Sequence, residues 1–358
     1  MFEDHRILIV GGSGGVGKTS LSAALGVSLA CRGYKTLVLT IDPARRLAGA
    51  LGLDRIGAEA VELTSQLAEA GLAPSGSLHA MMLDVQNTFD RLVRRYAPDA
   101  ETTERILNNR LYQNISTRLS GSQEYASMQR LYEISVEGGY DRIVLDTPPT
   151  THALEFLTAP RRLTEFFDSR VMQLFLNFGG RTGMRLLRRG TDMFFSAVER
   201  LTGPGLIREI ADFFQLAEAI LEPYKQQADR AEALLRSHET TFLIVSGANG
   251  HQLDEAHAFR SALSRLSINV SGLIVNRWLA PVTESERVLD QVQPDDALAG
   301  TAVKWFRRIE RWAHMQTAQI EKAADGLDIP VVRVPVMDED IHTVTGLHAV
   351  ADYLQTQG

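Results

Sequence analysis

The apolar positions of this chain cluster in short runs separated by longer mixed stretches. The first run, Ile7-Leu8-Ile9-Val10, carries no polar residue. Similar runs place strands near Arg6–Val10, Lys35–Ile41, Leu78–Leu83, Arg142–Asp146, Thr241–Ser246, Val270–Asn276 and Val331–Val334. Near-continuous apolar runs suit parallel strands covered on both faces. Helical stretches lie between them, the first over Lys18–Ala30. Strands alternating with helices predict right-handed crossovers and a doubly wound, mostly parallel α/β sheet. In such sheets ligands bind at the carboxyl ends of the strands. Residues 86–138 and 160–238 look mainly helical and interrupt the alternation. No internal repeat or low-complexity linker is visible. The expected organisation is therefore one domain over residues 1–358, with a helical subdomain formed by 86–138 and 160–238 inserted in it.

Composition changes this picture little. Hydrophobic residues make up 44% and charged residues 23%, as in ordinary globular chains. The formal charge of −7 argues against general nucleic-acid binding. No apolar run approaches the roughly 20 residues of a membrane span. Met1–Arg6 is short and polar, which does not fit a signal peptide. The one cysteine, Cys31, precludes an internal disulfide and suits a packing role at the end of the first helix. A cytoplasmic location is expected. The nine histidines form no close metal-ligand pattern. Arg307, Arg308 and Arg311 alternate with Glu310 and read as a solvated helix face.

The chemistry concentrates behind the first strand. Gly11–Ser20 reads Gly-Gly-Ser-Gly-Gly-Val-Gly-Lys-Thr-Ser and fits the Walker A spacing, with Gly12, Gly17, Lys18 and Thr19 in register. Strand, loop and helix follow in the required order. The backbone of Gly12, Ser13, Gly14, Gly15, Val16, Gly17 and Ser20 would wrap phosphate oxygens. Lys18 would reach the β/γ-phosphates, and the Thr19 hydroxyl would hold Mg²⁺. The following helix would aim its positive end at the anion. Asp42, at the end of the second strand, suits the γ-phosphate or its attacking water; it also suits a helix cap ahead of Pro43. Asp146 ends the strand Ile143–Leu145 and reads as a Walker B acid binding Mg²⁺ directly or through water. The run Thr147–His152 behind it carries hydroxyls that could sense the γ-phosphate. Asn276, at the end of another strand, can offer adenine a donor and an acceptor, or simply shape a turn. Pro335 is a second candidate for the base pocket. Arg277-Trp278-Leu279 replaces the guanine-reading Asn-Lys-x-Asp pattern, which favours ATP over GTP.

Taken in order, Gly11–Ser20, Asp42-Pro43-Ala44, Asp146–Leu157, Val275-Asn276-Arg277 and Val334–Asp340 resemble the ArsA-type anion-transporting ATPases. That family also holds the eukaryotic tail-anchored-protein targeting ATPase. The resemblance covers most of the chain. It implies a P-loop NTPase fold of the SIMIBI class with a deviant Walker A loop. It also implies a dimer that opens and closes with nucleotide. Asp42 would activate or position water, Thr19 would bind Mg²⁺, and Asn276 and Pro335 would hold adenine. Where the family usually carries a signature lysine that reaches the partner's phosphates, this chain has Ser13. The resemblance thus leaves four possibilities: a slow homodimer, a homodimer using Arg45 or Arg46 instead, a homodimer that does not hydrolyse, or a heterodimer with a lysine-bearing paralogue. Ser246–Asn249 lacks the acidic residue that relatives often have. Without Cys-x-x-Cys no bridging zinc site is expected, and with Cys31 alone no arsenite site.

Phe167, Val171, Leu174, Phe175 and Phe178 form a helical apolar stripe, with Arg181, Arg185, Arg188 and Arg189 beyond it. Three readings apply to residues 165–201: a helical core or dimer contact, a groove for a hydrophobic client as in relatives, or a membrane-surface helix. A regulatory subunit of low turnover is the rival to a self-sufficient ATPase. A positioning ATPase of the ParA/MinD kind would want a basic tail. Leu347–Leu354 contains no lysine or arginine.

Overall fold

The computed structural model describes residues 4–42, 46–118, 122–149, 206–282, 297–337 and 343–357, with the single positions 157, 165 and 341. It contains an eight-stranded sheet, ordered β3-β4-β2-β5-β1-β6-β7-β8. The strands are β1 (Ile7–Gly12), β2 (Lys35–Thr40), β3 (Val61–Glu62), β4 (Ser77–Met82), β5 (Arg142–Asp146), β6 (Thr240–Gly247), β7 (Val270–Trp278) and β8 (Val331–Pro335). Every pairing is parallel except β3 with β4. The doubly wound α/β reading therefore holds. The sequence pattern missed β3, because two exposed residues carry no periodicity. It also ended β7 too early: Asn276 lies inside that strand, with Arg277 at φ 57 and a register shift before Trp278.

The chain divides into two compact units. The first comprises Met1–Met82, Gly139–Leu154 and Leu235–Gly358 and holds the sheet. Here α1 (Lys18–Cys31) is apolar on all sides and buried almost throughout. Leu21, Leu25 and Leu29 share a core with Leu8, Val10 and Val38 of the sheet and with Leu347, Val350 and Leu354 of the last helix, Val344–Gln357. Each such side chain contributes about 1.5–3 kcal/mol by leaving water. This packing fixes where α1 begins, and with it the loop ahead of it. Also in this unit are α2 (Arg46–Ala50) and α3 (Thr64–Glu69).

The second unit comprises Leu83–Gly138 and Glu155–Leu234. Its first part folds as α4 (Val85–Tyr96), α5 (Ala100–Leu107), α6 (Arg110–Arg118) and α7 (Ser122–Glu137). Asp84 and Asp99 cap α4 and α5 through their carboxylates. A long helix, α8 (Leu206–Arg236), supplies Phe213 and Phe214 to a small core with Val93, Ile106 and Tyr112. The apolar stripe from Phe167 to Phe178, and most of residues 165–201, lie outside the described residues. Among the described residues no helix is long and apolar enough to cross a membrane.

Candidate functional site

Strand register assembles the site before any side chain is considered. Asp146 lies level with Val10 of β1 and with Thr40 of β2, at the carboxyl edge of the sheet. Gly12 lies level with Val245, and Asn276 with Gly247. The loop from Ser13 to Gly17 therefore emerges among the ends of β5, β6 and β7.

Two glycines are sterically required there. A Cβ on Gly12 would collide with the Val245 carbonyl. Gly17 sits at φ 91, and a Cβ on it would meet the Asn276 amide. That amide donates from Nδ2 to the Val16 carbonyl at 2.8 Å. Asn276 thus braces the loop, a role its sequence position did not reveal. This bond uses one of the two N–H groups of the amide.

Gly17 is also the residue that opens α1, and no side chain caps this helix. Its first turn contains no acid. By contrast, α9 (Gly250–Arg265) is capped by the Asn249 side chain, as α4 and α5 are by their aspartates. An uncapped helix start leaves oriented N–H groups and the positive end of the dipole for an anion.

Lys18 is buried, 8% exposed. Its ammonium donates to the Gly12 and Ser13 carbonyls at 2.9 and 2.7 Å. Burial lowers its pKa, partly countered by Asp146. The lysine therefore does not project outward; its partners are the loop carbonyls of Gly12 and Ser13.

Asp146 is the second buried charge, 1% exposed. Its Oδ2 accepts from the Thr19 hydroxyl at 2.8 Å and from the Thr40 hydroxyl at 2.9 Å. Ser22 approaches Oδ1 at 3.5 Å. Burial pushes its pKa up to about 6, against the pull of Thr19, Thr40 and Lys18. Next to it, the Thr147 hydroxyl donates to the Val10 carbonyl at 2.8 Å.

Asp42 sits two residues beyond β2. Its N–H donates to the Thr40 hydroxyl at 3.2 Å, and its carboxylate lies 3.4 Å from the Arg46 guanidinium. Thr40 therefore links Asp42 to Asp146. Arg46 is held on the acid, while Arg45, Pro43 and Ala44 lie outside the described residues, as do Thr150–Phe156 with His152. Pro335 is the last residue of β8, level with Trp278, not just past the strand.

One neighbour was illegible in the sequence. Glu255 of α9 accepts a hydrogen bond from the Ser13 hydroxyl. Its own surroundings include His251 at 3.8 Å. Ser246–Asn249 is indeed without an acid, but the next turns of α9 bring one to the loop. No local motif flags it.

The donor set fits Mg²⁺. Thr19 and Asp146 are hard oxygen ligands within hydrogen-bond reach of each other. Among the described residues no group of three or more His, Cys, Asp and Glu could hold a metal alone. One carboxylate and a hydroxyl, completed by phosphates and water, is how proteins bind Mg²⁺.

Comparison with known proteins agrees with this geometry. The family pattern for anion-transporting ATPases matches residues 5–356. A putative arsenical pump-driving ATPase of Prosthecochloris vibrioformis is 35% identical, over 97% of this chain and 74% of that protein. The ATPase get3 of Aspergillus terreus is 28% identical over 98% of this chain and 90% of its own length. The ATPase ARSA1 of Chlamydomonas reinhardtii is 26% identical over 96% of this chain, which spans only 42% of that longer protein. Walker loop, sheet order and near-complete coverage converge: the chain belongs to the anion-transporting ATPase family, ArsA type, and is an ATPase.

Proposed function

We infer that this ATPase binds Mg-ATP at the β1–α1 loop and hydrolyses it as the drive of a dimeric switch. The observation that carries the reading is Lys18. Its buried ammonium is satisfied by two loop carbonyls beneath an uncapped helix start. A phosphate entering this cradle would exchange neutral partners for a charged one, a stronger bond. Gly12 to Ser20 would wrap the phosphates, in the manner of a deviant Walker A loop. Thr19 and Asp146 would hold Mg²⁺, which when bound neutralises phosphate charge. Asp42, tied to Asp146 through Thr40, would position the attacking water. Asn276 would hold the loop in shape and, with Pro335, flank the base.

Dimerisation and a hydrophobic client or membrane-protein partner are the finer part of this reading. The relatives' likeness and the apolar stripe at 167–178 support them. The helical segments over 86–138 and 160–238 would form the subdomain that meets such a client. Ser13 supports a second reading, in which this chain is a low-turnover subunit of a heterodimer. Its hydroxyl is engaged by Glu255 and offers no cation to a partner. Such a subunit would receive a lysine and give none.

Sedimentation of the purified chain with ADP, and with a non-hydrolysable ATP analogue, tests the switch. The reading expects compaction or dimerisation with the analogue alone. Identical sedimentation in both states, with Asp42→Asn leaving hydrolysis intact, would refute it. Analogue binding without dimerisation, reversed by Ser13→Lys, would favour the heterodimer.

A further inference from the structure

The helix Ala297–Ala324, α10, breaks the usual placement of apolar residues. From Leu298 to Ile309 no residue is buried. Yet this stretch and the turn after it present Leu298, Trp305, Ile309 and Trp312 at 78%, 57%, 45% and 55% exposure. With Ala302 these positions alternate in steps of four and three, the spacing of a coiled-coil seam. Further along the same helix, past this alternation, Gln316, Ile320 and Ala323 are buried. Its inner half is anchored: Thr317 accepts from the Trp278 indole, Gln316 from the Leu279 N–H, and Glu310 from the Val282 N–H. An exposed apolar row therefore extends outward from an anchored inner half of the same helix. A single solvated helix of this length gains little stability by itself. Exposed aromatic residues in a contiguous row mark an interaction surface.

Charge selects the occupant. Lys304, Arg307, Arg308 and Arg311 flank the seam, and Arg308 lies 5.4 Å over the Trp305 ring. Between 297 and 320 the sole acid, Glu310, is turned inward on Val282. This basic arm stands on a chain of net charge −7. A second copy would bring the same cations to the pair, a like-charge juxtaposition that disfavours association. A heptad seam accepts a helix, and cationic flanks accept acidic ones. We propose that the outer half of α10 is a docking arm for an acidic amphipathic helix of a partner protein, separate from the nucleotide site.

The full chain is titrated into a fluorescein-labelled synthetic helix of about three heptads, Leu and Ile at the seam and Glu on the flanks, with anisotropy as readout. Binding that weakens at least about tenfold with Trp305→Ser/Trp312→Ser is expected, as for aromatic anchors. Arg308→Glu/Arg311→Glu should weaken it similarly and remove its salt dependence. A Lys-flanked peptide with the same seam should not bind. Absence of binding, or equal binding of both peptides, overturns the proposal. So does a result in which phosphatidylserine vesicles bind the chain through these residues and the acidic peptide does not. Self-association lost on Trp305→Ser/Trp312→Ser, without peptide binding, also overturns it and assigns the arm to a second copy. Circular dichroism of each variant checks that α10 remains folded.

Discussion

The phosphate-loop edge of the sheet and the outer half of α10 break the same rule in opposite directions. At the loop, Lys18 and Asp146 are charged and buried. On the arm, Trp305, Ile309 and Trp312 are apolar and exposed. Buried charge and exposed apolar surface are each costly, and each is informative where it occurs. The two costs are met differently. At the loop every charge has internal partners: carbonyls for Lys18, hydroxyls for Asp146. Those partners are neutral and exchangeable, which suits a site that takes up a charged ligand and releases it. On the arm only anchoring at the inner end is provided, through Glu310, Gln316 and Thr317. Its outer seam is complete only with a surface from elsewhere. One region has its charges paired internally, as the proposed anion site requires; the other leaves an apolar row exposed, as the proposed docking arm requires.

Substitutions can separate the two regions. The largest effect is expected from Asp42→Asn, which should lower steady-state ATP turnover by about two to four powers of ten, as for loss of a general base. ATP affinity by calorimetry should stay within a few-fold. A smaller effect concerns Asp146. Its folded pKa of about 6 exceeds the ordinary carboxylate value of 3.8, so the folded state binds the extra proton between them. Stability of the nucleotide-free chain should therefore fall as pH rises from about 4 to about 6, by on the order of 2–3 kcal/mol from this group. Urea titrations across that range should show a shallower slope for Asp146→Asn.

Asn276→Ala sharpens the assignment of the brace. Loss of its bond to Val16 should weaken nucleotide binding about three- to tenfold. ATP and GTP should suffer alike if Asn276 acts on the loop, whereas an adenine reader would lose ATP alone. The smallest effect belongs to the arm. Trp305→Ser/Trp312→Ser should leave hydrolysis unchanged and shift stability by no more than about 0.5 kcal/mol, as exposed positions do. A large fall in turnover would show that arm and site are one device.

The sequence revealed most of what strand ends and glycines encode. Ile7–Val10 followed by the glycine loop placed β1, α1 and Lys18, because apolar continuity and loop spacing are local signals. Asp146 was legible as a strand-end acid, and register alone brings it to Thr40. Contacts that depend on distant elements were not legible. Glu255 reaches Ser13 across 242 positions, and Asn276 reaches Val16 across 260. The direction of Lys18 was also hidden, since the loop spacing does not say that its ammonium folds back onto the Gly12 and Ser13 carbonyls. Arg307, Arg308 and Arg311 read as a solvated face, but Glu310 is buried and the aromatic residues beside them are exposed. Periodicity finds an apolar stripe; it does not say whether the fold covers it.

The most direct test of the central claim is calorimetric titration of Mg-ATP into the wild-type chain and into Lys18→Ala. If the buried ammonium is held in readiness for phosphate, the substitution should weaken binding at least about a hundredfold, the cost of losing a buried charge partner. Equal affinity in the two proteins would mean that Lys18 merely ties the loop together, and that the nucleotide binds elsewhere.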